Sequence, residues 1–305
     1  MPVNALQRLP PGSRVSIIRL RSLGDCVLTT PAIALLKAFR PDLAISVVVE
    51  DRFAPVFDGN PAIDAILPPS KLAVARWHPD LCINLHGGST SSQLTFASRA
   101  KHRAGFENFR FRALYTIRIP RAQNILGVDR KVHTAEHLAS AMFFLGVPSR
   151  EVPRASLFAA TPSVSTPYAV IHPKASLPEK TWPFENFRAL AEQLRQEFNL
   201  EPVFIAGPGE ALDEFKRFRC LAGASLEEIK TLLSGAALFI GNDSGPAHMA
   251  AAFGLPVVVL FGASDPVVWA PWKTESVVLN ASVIASIAVS EVLTALATLS
   301  IGQVQ

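Results

Sequence analysis

A carboxylate preceded by glycine stands at Asp25 in the stretch Arg19-Leu20-Arg21-Ser22-Leu23-Gly24-Asp25, after a short apolar run and before residues with helical spacing. Gly24 lets the backbone turn tightly there. In the first turn of a helix, the positive end of the dipole favours the ionised form of an acid. An ionised carboxylate on a cleft rim can take the proton of an attacking hydroxyl. The plainer alternative is that Asp25, with Ser22, only caps the helix. A second constellation is Gly241-Asn242-Asp243-Ser244-Gly245-Pro246-Ala247-His248, again between a strand pattern and a helix pattern. Small residues with free amides at a helix N-terminus make an anion site, and Pro246 suits the first helical turn. Asp243, Ser244, Gly245, Pro246, Ala247 and His248 are therefore candidates for cradling a diphosphate. Against this, Asp243 and Ser244 can be caps and His248 a buried, satisfied histidine. Neither a Walker pattern nor a GxGxxG fingerprint is present.

Three further stretches sit at similar junctions. In Glu179-Lys180-Thr181-Trp182-Pro183, Lys180 can set a point charge against a phosphate leaving group; a surface lysine is the alternative. In Gly207-Pro208-Gly209-Glu210, Glu210 can accept hydrogen bonds from a ribose, or be an exposed turn residue. Gly262-Ala263-Ser264-Asp265-Pro266 reads as a tight turn on the same edge. Separately, nine Lys or Arg against Glu107 and Asp129 make Arg99 to Lys131 strongly basic within a chain of net charge +4. Arg99, Lys101 and Arg103 lead that cluster as candidates for an anionic acceptor, a solvated basic face being the alternative.

Elements must place these residues. The chain has 305 residues, 49% of them hydrophobic and 18% charged, enough for two cores and too apolar for disorder. Mean hydropathy is positive, yet no stretch approaches the ~18 uninterrupted apolar residues of a spanning helix. Buried parallel strands account for it. Strand patterns at 15–20, 44–49, 63–67 and 81–85 alternate with helical ones at 26–39, 52–58 and 131–145. Pro31 implies a kink or a first-turn position. The stretch 147–167 is rich in Pro, Ser and Thr and reads as a linker. Alternation resumes with strands at 168–171, 202–206, 237–240 and 257–261 and helices at 184–198, 226–233, 246–253 and 289–299. Strand–helix–strand units at this spacing mean right-handed crossovers in parallel sheets. The expectation is an α/β chain of two Rossmann-like parallel-sheet domains, 1–155 and 156–305, facing across a cleft.

No apolar leader segment is visible between Met1 and Gly12. Cys26, Cys82 and Cys220 form neither a metal knuckle nor a disulfide framework. A cytoplasmic protein without a metal is expected. The basic cluster interleaves Phe106, Phe109, Phe111 and Tyr115, but no nucleic-acid module appears, so nucleic acid is not an expected partner.

The segments RLRSLGDCVLTTPAIALLKAFRPDLAISVVVE, KTWP and GNDSGPAHMAAAFGLPVVVLFGASDP together resemble glycosyltransferase family 9, the ADP-heptose:lipopolysaccharide heptosyltransferases. The resemblance covers nearly the whole chain, in order. It implies a GT-B fold and metal-independent, inverting transfer of a heptose or related sugar from an ADP-sugar to lipopolysaccharide inner core or a similar anionic glycolipid or oligosaccharide. It implies that Asp25 is the base, that Lys180 binds phosphate, and that Asp243, Ser244, Gly245 and His248 hold the diphosphate and sugar, with Glu210 touching the nucleotide. It also implies a monomer, peripheral contact with the inner membrane surface, and a last helix packing back on the first domain. Two alternatives stay open: a nucleotide-sugar epimerase, which would turn over donor without acceptor, and a non-catalytic nucleotide-sugar binder.

Overall fold

The computed structural model describes residues 4–160, 162 and 166–301. The chain divides into two compact units, the first ending at Ser156 and the second beginning at Leu157. The break falls within the 147–167 stretch, which has no helix or strand over its described residues. Among the described residues no helix is long and apolar enough to cross a membrane.

The first unit contains β1 (Arg14–Ile18), α1 (Leu23–Phe39), β2 (Ala44–Val48), β3 (Ala65–Leu67), α2 (Lys71–Trp77), β4 (Leu81–Asn84), α3 (Ser89–Ala97), β5 (His102–Phe106), β6 (Ile117–Ile119), α4 (Ala122–Leu126) and α5 (Thr134–Leu145). Its six strands are parallel, in the order β3-β2-β1-β4-β5-β6. Val15, Ile17, Ile45, Val47 and Ile83 are fully buried, as strands covered on both faces require. Pro31 lies well inside α1 rather than in its first turn. Its missing N–H would have bonded the Val27 carbonyl. The Thr30 hydroxyl donates to that carbonyl instead, at 2.8 Å, so the helix continues.

The second unit contains β7 (Tyr168–His172), α6 (Phe184–Glu197), β8 (Glu201–Ile205), β9 (Arg219–Leu221), α7 (Leu226–Ser234), β10 (Leu238–Asn242), α8 (Gly245–Phe253), β11 (Val257–Phe261), α9 (Pro266–Trp269), β12 (Ser276–Asn280) and α10 (Val289–Leu296). Its sheet is also parallel and six-stranded, ordered β12-β11-β10-β7-β8-β9. The two windings are the same. The first strand is central, the next two step outward on one side, and the last three cross to the other. Trp182, Phe187, Phe204 and Phe215 anchor the second core. The last helix packs within this unit. Val292, Ala295 and Leu296 of α10 are buried in this same core, against α6 and β11.

Candidate functional site

In each sheet the order of strand addition reverses between its first and fourth strands, β1 and β4 or β7 and β10. Such a switch point opens a crevice beyond the carboxyl ends of the strands. The main candidates from sequence fall there.

In the first unit, Ser22 is the N-cap of α1 and Asp25 its third residue, joined in a capping box. The Ser22 hydroxyl donates to Asp25 Oδ2 at 3.1 Å, and the Ser22 N–H points at the same oxygen from 3.4 Å. Arg19 Nη1 donates to Oδ1 at 3.2 Å. The capping alternative is thus realised in geometry. The Asp25 side chain nonetheless keeps 23% of its surface exposed, against 7% for Arg19, so it can meet a hydroxyl from solvent. Gly24 lies buried within the same turn.

Residues that the sequence reading did not single out complete this edge. Asn84, fully buried at the end of β4, accepts from the N–H groups of His86 and Gly87 at 2.9 and 3.1 Å and donates to Tyr115 Oη at 2.9 Å. This shapes the His86-Gly87-Gly88 turn into α3. Gly87 has φ +74°, and a Cβ there would strike the Phe109 ring at 2.8 Å, so glycine is required. Burial above all, with the Arg19 cation second, lowers the pKa of His86. The same two causes hold His137, stacked on Phe106 at 4.2 Å, at about 4. Both imidazoles near Asp25 are therefore neutral at pH 7. The one sequence signal for this turn is its strand-then-glycine pattern, which matches the other junctions.

Arg99, Lys101 and Arg103 do not join Asp25. Arg103 is the second residue of β5 and aligns through Cys82 with Ser16 of β1. Arg99 and Lys101 precede it, at the amino edge of the sheet. Asp25 follows the carboxyl edge, so the strand length separates it from Arg99 and Lys101.

In the second unit, Ser244 is the N-cap of α8 and its hydroxyl meets His172 Nδ1 at 3.0 Å, linking the ends of β10 and β7. Burial pushes His172 down to about 4, so the ring is neutral. The Asp243 N–H donates to Leu260 and that of Ala247 to Ser244 O. The Ala247 amide thus closes a tight first turn of α8. Pro246 has no N–H, which leaves the amides of Ser244 and Gly245 as the donors without a backbone acceptor among the described residues. His248 is buried on α8, edge-on to Trp269 at 6.3 Å.

Lys180 is held close by. Asn242, fully buried at the end of β10, donates to the Pro173 carbonyl and accepts from the Trp182 N–H, each at 3.0 Å. Trp182 Nε1 donates to Ile287 O at 2.9 Å. On the other flank the Glu179 carbonyl packs so tightly on Gly262 that a Cβ there would lie at 2.6 Å. Lys180, on the short turn Pro178–Lys180, is near enough to oppose the burial that raises the pKa of Asp243; the Ser264 hydroxyl opposes it more strongly. Asn84 and Asn242 occupy the same place in the two windings, at the end of the fourth strand. Glu210 is exposed beyond β8, and its Oε2 accepts from Gly207 N at 2.8 Å, closing its own turn. Among the described residues no group of three or more His, Cys, Asp or Glu is placed to hold a metal ion.

A family model, glycosyltransferase family 9 (heptosyltransferase), matches residues 73–292. Lipopolysaccharide heptosyltransferase 3 of Escherichia coli K12 is 28% identical over 296 residues, covering 85% of each chain. Among solved structures, a glycosyl transferase family 9 protein from Veillonella parvula superposes with a TM-score of 0.83 at 21% identity, covering 94% of this chain and 96% of that one. The E. coli ADP-heptose lipopolysaccharide heptosyltransferase II gives 0.78 at 20% identity, covering 93% and 97%. These likenesses show the GT-B fold class.

Proposed function

Because the chain belongs to glycosyltransferase family 9, the heptosyltransferase family, we propose that this glycosyltransferase moves a heptose or closely related sugar from an ADP-sugar to a lipopolysaccharide inner-core or similar anionic glycan acceptor. The observation that carries the donor assignment is the second switch point. There a lysine and two backbone N–H groups at the start of α8 flank one edge, an arrangement suited to a diphosphate. The E. coli relative of known structure is itself named for ADP-heptose.

In this reading the acceptor hydroxyl gives its proton to Asp25 and its oxygen attacks the anomeric carbon. The bond from that carbon to the diphosphate breaks on the opposite face, so the configuration inverts. ADP leaves with its charge met by Lys180, the Ser244 and Gly245 amides and the α8 dipole, in place of a metal ion. Arg19 and Ser22 fix the Asp25 carboxylate. The protein acts as a monomer in the cytoplasm. Buried thiols at Cys26 and Cys82 agree with a reducing compartment.

The test is Asp25→Asn, assayed for transfer and for ADP binding by calorimetry. Loss of a general base lowers kcat by about 10²–10⁴-fold, with ADP affinity unchanged. Equal loss of turnover and ADP binding, or full turnover, contradicts the assignment.

A further inference from the structure

Arg99 and Arg103, separated from the Asp25 edge, line an open groove of about 610 Å³ together with Lys71 and two large apolar side chains, Leu72 and Phe96. Leu72 on α2 is 57% exposed and Phe96 on α3 is 60% exposed. A single exposed apolar side chain is ordinary. Two of this size in one groove, flanked by three cations and no carboxylate, form a compound feature. The surrounding sequence shares the bias. From Ile66 to Phe106 the only acid is Asp80, against Lys71, Arg76, Arg99, Lys101 and Arg103. Asp80 is already engaged by the Arg14 N–H.

We propose that this face of the first unit is a docking surface for an anionic lipid bilayer. The cations meet the phosphate headgroups, and Leu72 and Phe96 enter the boundary beneath them, the pairing that holds amphipathic surfaces on membranes. Charge decides the occupant. A second copy in a two-fold contact sets the same cations against one another. A nucleic acid satisfies the cations but leaves two apolar side chains against a hydrated backbone.

The inference is tested without donor or acceptor, so its failure is separable from failure of the transferase reading. The full chain is sedimented with vesicles of phosphatidylcholine alone and of phosphatidylcholine and phosphatidylglycerol in equal parts. Binding to the second and not the first, weakened by salt, is expected. Each basic residue is worth about fivefold in partitioning, so Lys71→Glu with Arg99→Glu lowers binding by at least about 25-fold. Leu72→Ser with Phe96→Ser lowers it by about tenfold or more. These side chains are exposed, so the thermal midpoint stays in place. Equal binding to both vesicle types, no binding to either, or unchanged binding by both double variants overturns the proposal. So does a concentration-dependent dimer abolished by Phe96→Ser without vesicle binding, which assigns the face to a second copy. Oligonucleotide binding that survives the serine variants, again without vesicle binding, assigns it to nucleic acid and overturns the proposal equally.

Discussion

Replacing Asn242 by leucine tests how the Lys180 turn is held. The branched heavy-atom skeleton is kept, while both hydrogen bonds of the carboxamide, to the Pro173 carbonyl and from the Trp182 N–H, disappear. Asn242 has no exposed surface, so solvent does not replace them. Each buried group left unpaired costs about 1–3 kcal/mol, which puts Asn242→Leu at about 2–6 kcal/mol, a large share of the ~5–15 kcal/mol typical of a native domain. Urea unfolding followed by tryptophan fluorescence reads it, because Trp182 lies in the second core. The transition of the second unit moves to lower urea and that of the first does not. Lys180 lies two residues before the lost anchor, so in the absence of urea ADP affinity falls as well, by about tenfold for each ~1.4 kcal/mol of positioning lost. A variant within about 0.5 kcal/mol of wild type, with ADP titration unchanged, refutes the claim that this carboxamide ties β7, β10 and the lysine turn together.

Lys180→Ala should weaken ADP binding while leaving the unfolding midpoint in place, since Lys180 makes no ion pair among the described residues; calorimetry showing wild-type affinity contradicts its phosphate role. His172 sits at about 4 in the folded chain and at about 6.5 unfolded. The unfolded state therefore binds protons that the folded state refuses. The stability contributed is full above about pH 6.5 and is lost progressively as pH falls toward 4, at a limiting slope of about one proton's worth per pH unit. His172→Gln removes that part of the slope in urea midpoints measured across this range, and an unchanged slope refutes the burial argument. A methyl group on Gly105 would lie 2.6 Å from the Tyr115 ring. Gly105→Ala therefore costs about 1–3 kcal/mol in thermal or urea denaturation, and a neutral result means the ring yields.

Long apolar runs made most of the frame legible. Val257–Phe261 is the strand that the sequence reading delimits, and Leu81, Cys82 and Ile83 carry enough apolar signal to mark β4. Elements with mixed surfaces were not legible. In β5 a histidine and an arginine precede small residues, so His102–Phe106 reads as part of a basic segment rather than a strand. β9 is only Arg219-Cys220-Leu221 and partly exposed, too short to show alternation. At the site, Asp25 and Ser244 were legible because a strand, a glycine and a helix stand in immediate succession. Asn242 was within a singled-out motif, yet its work depends on Pro173 and Trp182, far away in sequence. The division of Arg99, Lys101 and Arg103 from Asp25 needed the strand register, which composition does not encode.

The repeated winding also orders the events of folding. Neighbouring strands such as β1 and β2 close short loops, whereas the central pair must bring Val15 to Leu81 in one unit and Ala169 to Leu238 in the other. Closing a longer loop costs more chain entropy and slows non-local pairing. Each crevice lies on that late seam, so a nucleotide seated in the second one would clamp the last part of its sheet to assemble and raise the barrier to its first opening.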